Sequence, residues 1–155
     1  MPTPAGLDVP GLLAEEAEAL RLFVDLLKRE QRLLAEGNVD SLVALAEKKS
    51  DFAETLGNLS CRREAALAAE GIAGGMGVWL AKPGNQRHEA KWRELLDSAR
   101  VAKNLNETNG KLIALRLGHN QQALNALLAA ADLAMTYGPD GQQRPPGGGR
   151  TLGSA

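Results

Sequence analysis

With 155 residues, 44% hydrophobic side chains and a formal charge of −1, the chain can enclose one core and is too short to expect two. The near-neutral charge excludes the basic stripe of a general nucleic-acid binder, and the single cysteine, Cys61, excludes an intramolecular disulfide or a cysteine metal cluster. Five aromatic residues and a core vocabulary of Leu and Ala argue for packed helices, since strands favour β-branched and aromatic side chains.

The expected fold class is all-α: an elongated antiparallel coiled-coil-like bundle of three to four long helices with a flexible C-terminal tail. Charge is unevenly spread along it. Residues 1–71 carry eight Lys/Arg against thirteen Asp/Glu, a net −5, and residues 72–155 carry ten against six, a net +4. Such a dipole helps antiparallel helices choose one another. The opening MPTPAGLDVPGLLAEEAEALRLF has no basic n-region and meets acids soon after Leu13, so it reads as neither a secretory signal nor a membrane span. A cytoplasmic location without direct membrane insertion is expected.

The first helix is expected from about Val9 to about Glu36. Leu13, Leu20, Leu27 and Leu34 recur every seven residues, with Ala17 and Val24 four residues after the first two, a coiled-coil seam. Asp8 and Pro10 open it and Gly37 closes it. Asn38 or Asp40 caps a second helix with inward positions Leu42, Leu45, Lys49, Phe52, Leu56, Leu59, Arg63 and Ala66, and Gly71 stops it. Lys49 and Arg63 interrupt this row, and their stems are expected to lie along the seam with the charges in water. The short connection between the two helices makes them antiparallel neighbours. Glycines 74, 75 and 77, with Pro83 and Gly84, then break the pattern, and Met76 to Leu80 are expected to form a short helical turn at one end of the bundle.

From Gln86 the helical signal returns through Trp92, Leu95, Leu96, Ala99, Ala102, Asn106, Asn109, Ile113, Leu117, Asn120, Leu124, Leu127, Ala131 and Ala134. A helix from Gln86 to Met135 would be roughly 75 Å long, against roughly 45 Å for each of the first two. The excess cannot all be covered by them. A bend or break at Gly118 would set Asn120 to Met135 apart as an arm. The domain expectation is thus one helical domain over residues 8–137, with the arm at about 119–136, followed by a Gly/Pro-rich tail, 138–155, with too little apolar surface to offset its ordering entropy.

Catalytic patterns are missing. His88 and His119 are too far apart for a ligand pair and lack the carboxylate or cysteine spacing of a zinc site. Asn120, Gln121 and Gln122 do not fit the Lys and Gly that follow the histidine of a phosphotransfer bundle. There is no Gly-x-Ser-x-Gly elbow, Glu-x-x-His helix, GxGxxG turn or phosphate loop. Asp25 with Arg29 and Glu107 with Lys111 read as solvated i,i+4 pairs. Cys61 reads as structural filler, and Trp79 and Trp92 as core or end-cap rings. No enzyme, metal or cofactor is expected.

What stands out is LNETNGKLIALR, Leu105 to Arg116, where Asn106 and Asn109 interrupt an apolar seam. Two readings stay open: a polar layer that fixes register, or a recognition surface. Leu124, Leu127, Leu128, Ala131, Leu133 and Met135 likewise read either as bundle core or as an amphipathic binding helix.

The ordered patterns EGNVDSLVALAEKKSDFAETL, LLDSARVAKNLNETNGKLIALRL and YGPDGQ, with a tail ending RTLGSA, resemble the FlgN family of flagellar type III export chaperones. The most specific parts are Leu105 to Leu117 and Tyr137 to Gln142, and the likeness runs from about Leu12 through nearly all the rest of the chain. It implies binding of the hook-filament junction proteins FlgK and FlgL through the C-terminal helical region, here Asn120, Leu124, Leu127, Leu128, Ala131 and Met135. It also implies docking to the export gate protein FlhA through Asn106, Asn109, Ile113 and Tyr137. The glycine-rich stretch around Gly74, Gly75 and Gly77 departs from the family, whose members tend to have helix-forming residues there. A homodimeric coiled-coil scaffold without a client is the alternative, and a phosphotransfer bundle using His119 a third reading.

Overall fold

A computed structural model of the chain describes residues 8–136. Regular structure there is helical throughout: α1 (Val9–Glu36), α2 (Val39–Ala69), a short α3 (Met76–Ala81), a 3₁₀ turn (Gln86–His88) and α4 (Glu89–Thr136), with no strand among the described residues. The chain divides into two compact units at Leu112 and Ile113.

In the first unit, α1 starts where the sequence places it, with Asp8 at the cap position and Pro10 in the first turn. All six seam residues, Leu13, Ala17, Leu20, Val24, Leu27 and Leu34, are buried. Removing a Leu of this kind from water is worth about 1.5–3 kcal/mol, which is why the seven-residue row dictates the packed face. At the end of α1, Gly37 adopts φ +70°. Its N–H donates to the Leu34 carbonyl and that of Asn38 to the Leu33 carbonyl, the paired closure that a left-handed residue permits. Asn38 immediately caps α2, its Oδ1 accepting from the Ser41 N–H at 3.2 Å. The tight reversal makes α1 and α2 antiparallel partners.

Gly71, at φ +76°, ends the second helix in the same manner and turns Ile72 back into the core. Ile72, Met76 and Trp79 join Val9, Leu12, Leu13 and Leu67 in one apolar cluster, so the expected turn at Met76 to Leu80 is present as α3. Trp79 is held at both ends: its indole N–H donates to Glu70 Oε2 at 2.8 Å, and its carbonyl accepts from Asn85 Nδ2 at 2.9 Å. The His88 ring lies beside it, with centroids 5.4 Å apart.

The first part of α4 completes this core with Leu95 and Ala102, both buried, and with Trp92, Ala99 and Leu105 on their flanks. Two expectations fail here. Asn106 does not continue the inward row: it is exposed, and Leu105 takes the inward flank while Asn109 follows Leu95 and Ala102 at seven-residue spacing. Nor is there a break at Gly118, since α4 runs unbroken through Gly110 and Gly118. A helix-interior glycine costs only about 1 kcal/mol relative to Ala, and the neighbours Lys111, Leu112, Ala114, Leu115 and Arg116 are good helix formers.

Candidate binding surfaces

Two charged layers cross the first unit. In one, Arg63 Nε donates to Glu16 Oε2 at 2.6 Å, with both side chains less than a tenth exposed. Arg63 also reaches Glu64 at 2.9 Å and lies over the Trp92 ring, 5.1 Å from its centroid. Burial acts to lower the Arg63 pKa, but the hydrogen bond and charge of Glu16, helped by Glu64, outweigh it and hold the group above its ordinary value. In the other layer, Lys49 Nζ donates to both Glu30 oxygens at 3.2 and 3.3 Å, and Asn109 Nδ2 donates to Glu30 Oε2 at 2.7 Å and to the Leu27 carbonyl at 2.9 Å.

Lys49 and Arg63 therefore do not keep their charges in water as expected. Each meets a buried glutamate of α1, and each layer is closed by a side chain of α4. Glu30 lies fourteen residues after Glu16, and Lys49 fourteen before Arg63, so a single antiparallel register satisfies both pairs. A shift of α2 along α1 would strand buried charges. Such layers are better understood as fixing register than as adding net stability.

Other surface groups differ from expectation as well. Asp25 pairs with Arg21 at 3.1 Å and not with Arg29. Cys61 is exposed and fills no core space. Trp79 is core and Trp92 half-buried, as their reading as packing rings requires. His119 is exposed on α4.

The two asparagines of the singled-out motif separate in space. Asn109 is fully buried, with both Nδ2 hydrogens engaged and no partner for Oδ1 among the described residues. Asn106 and Ile113 are on the surface. Tyr137 and the tail lie outside the described residues.

The second unit contains the remainder of α4. Every side chain from Ile113 to Leu133 is exposed. Seven of the thirteen exposed large apolar side chains among the described residues fall in this stretch, which concentrates them on one helix: Ile113, Leu115, Leu117, Leu124, Leu127, Leu128 and Leu133. Ile113, Leu117, Asn120, Leu124, Leu127 and Ala131 follow one another by four or three residues and so share a face, with Leu128 at its margin. The polar face is tied by Gln121 Nε2 donating to Asn125 Oδ1 at 3.1 Å. Met135 falls in the last turn of α4. Large apolar side chains gathered in this way mark interaction surfaces more often than ordinary exposed leucines do.

No group of three or more His, Cys, Asp or Glu that could hold a metal occurs among the described residues, and no helix there is long and apolar enough to cross a membrane. Fold and surface together define a small all-α bundle protein with an amphipathic helical stretch whose apolar side chains are exposed. The model of the FlgN protein family matches residues 8–145, so the chain belongs to the FlgN family. It is also similar to the flagella synthesis protein FlgN of Yersinia enterocolitica, at 28% identity over 134 residues covering 85% of this chain and 86% of that protein. No solved structure matches it.

Proposed function

We propose that the protein is a cytoplasmic export chaperone for the flagellar type III pathway. It binds the C-terminal helical segments of the hook-filament junction proteins FlgK and FlgL, prevents their premature assembly and delivers them to the export gate. The observation that carries this reading is the exposed row Ile113, Leu117, Asn120, Leu124, Leu127 and Ala131 on α4. Family membership and the flagellar name of the Yersinia relative support it. Segments that become helical only on assembly expose apolar stripes, and a helical face of this kind covers such a stripe reversibly without ATP or covalent chemistry.

Gate docking to FlhA is assigned to Asn106, Ile113 and Tyr137, with the buried Asn109 acting through its effect on α4. Its amide, enclosed between the Leu27 carbonyl and Glu30, seats α4 and thereby sets where Asn106 stands.

The test is light scattering coupled to size exclusion on the full chain mixed with purified FlgK. A complex is expected with the full chain and with Asn106→Ala. It should be lost on truncation after Leu112 and in Leu127→Asp, with helical content otherwise retained. Binding of Asn106→Ala to FlhA should fall while client binding holds. A chain that forms only its own dimer, with no complex on adding FlgK or FlgL, would replace the chaperone reading with the homodimeric scaffold.

A further inference from the structure

Among the cations of the first unit, Arg21, Lys49 and Arg63 are each matched to carboxylates. Three others converge on one groove of about 460 Å³ between α1 and α2 without an acid at ion-pair distance among the described residues: Arg29 and Arg32 on α1, and Lys48 on α2. Asp25 borders this groove and is the natural i,i+4 partner of Arg29, but its carboxylate is held by Arg21. The groove is otherwise lined by Leu26, Ser41, Ala44 and Leu45, so it offers apolar surface between the charges. It lies in the more acidic half of the sequence, where unpaired clustered bases run against the local charge balance.

We propose that this groove is a docking site for an acidic amphipathic peptide segment of a partner protein. Arg29 and Arg32 are three residues apart, one turn along α1, and Lys48 faces them from α2. A ligand with two carboxylates about one helical turn apart meets this spacing, and an apolar side chain between them reaches Leu26 and Leu45. A small anion is a poorer match. The three cationic side chains are exposed to water, so a lone phosphate gains little from them and leaves the apolar lining uncovered. The site draws only on residues of the first unit and is independent of the client reading given above.

The probe is an alanine-rich helical peptide carrying two Glu one turn apart with a Leu between them. The same peptide with Lys for Glu, and inorganic phosphate, serve as comparisons. Backbone amide shifts of the full chain are followed by NMR on titration. The expected result is saturable shifts centred on residues 25–48 with the acidic peptide alone, weakened at raised ionic strength. Binding should be at least tenfold weaker in the Arg29→Gln/Arg32→Gln variant and unchanged in Lys28→Gln, an exposed α1 cation outside the groove. Exposed substitutions of this kind preserve the fold, which circular dichroism checks. Equal response to the basic peptide, shifts located elsewhere, or phosphate binding with no response to the acidic peptide would each overturn the proposal. So would self-association of the chain that Arg29→Gln/Arg32→Gln abolishes, which would give the site to a second copy.

Discussion

The two ends of α4 carry the same kind of pattern and meet different fates. Between Trp92 and Asn109 the three-and-four spacing is enclosed by α1 and α2, and Leu95 and Ala102 fall to about a twentieth of their full exposure. Between Ile113 and Ala131 the spacing is as regular, yet Leu117 and Leu127 remain about two-thirds exposed. Periodicity thus specifies a helix and a face, but not what covers the face. An apolar row that the described residues leave exposed is the physical basis for looking for a partner.

The sharpest way to break this contrast is at the charged layers that seat the enclosed part. Glu16→Ala leaves the Arg63 guanidinium buried with Glu64, the Ser60 hydroxyl and the Trp92 face, and should lower unfolding free energy by about 3 kcal/mol. The paired replacement Glu16→Leu with Arg63→Met should recover most of that loss, because no unpaired charge then remains. Urea denaturation followed by circular dichroism measures both, and a Glu16→Ala variant as stable as the parent would show the layer to be wetter than its burial implies.

A matched pair of leucine truncations asks the same of the two ends of α4. Leu95→Ala removes a buried side chain and should cost about 2–3 kcal/mol, whereas Leu124→Ala should change stability by less than about 0.5 kcal/mol. Equal losses would mean that the stretch from Ile113 onward has a partner in the free protein, such as a second copy.

The asparagines give a smaller difference. Asn109→Ala loses two hydrogen bonds but also removes a buried amide oxygen with no partner among the described residues, so a cost of about 1 kcal/mol is expected. Asn106→Ala, on the surface, should fall within about 0.5 kcal/mol of the parent. The same denaturation curves decide, and reversed magnitudes would return Asn106 to the inward row.

Much of the first unit was legible in the sequence because its signals are local. The seven-residue leucines, the Gly37 reversal and the turn at Met76 depend on a few neighbouring residues and form where expected, and of the two expected caps, Asn38 and Asp40, Asn38 takes the role. The charged layers depend on residues far apart in sequence. Lys49 and Arg63 were visible as interruptions, but their buried partners Glu16 and Glu30 sat among ordinary surface-like acids of α1. The equal separation of the two acids and of the two bases was the available signal, and it gains meaning only once α1 and α2 are known to pair. Asn106 and Asn109 were indistinguishable for a similar reason. Both fit a three-and-four spacing, and the direction from which α1 approaches decides which one is enclosed.

The smallest expected effect lies on the exposed side of α1, where Arg21 donates to Glu18 at 2.8 and 2.9 Å and to Asp25 at 3.1 Å. The hydrogen bond from Arg21 is the main cause holding the Glu18 carboxyl below its ordinary value. A carboxyl depressed in the folded state stabilises it above the unfolded pKa, and that contribution fades as pH falls through the folded pKa. In Arg21→Gln the Glu18 carboxyl should therefore titrate at higher pH, read from its side-chain carbon by NMR. The stability difference from the parent should be slight at neutral pH, since the pair is exposed, and should vanish in acid. The same substitution frees Asp25, four residues before Arg29, to approach that unpaired guanidinium. Arg21→Gln should thus weaken acidic-peptide binding in the groove without altering any residue that contacts the peptide. An unchanged affinity would mean that Asp25 does not control the charge available at Arg29.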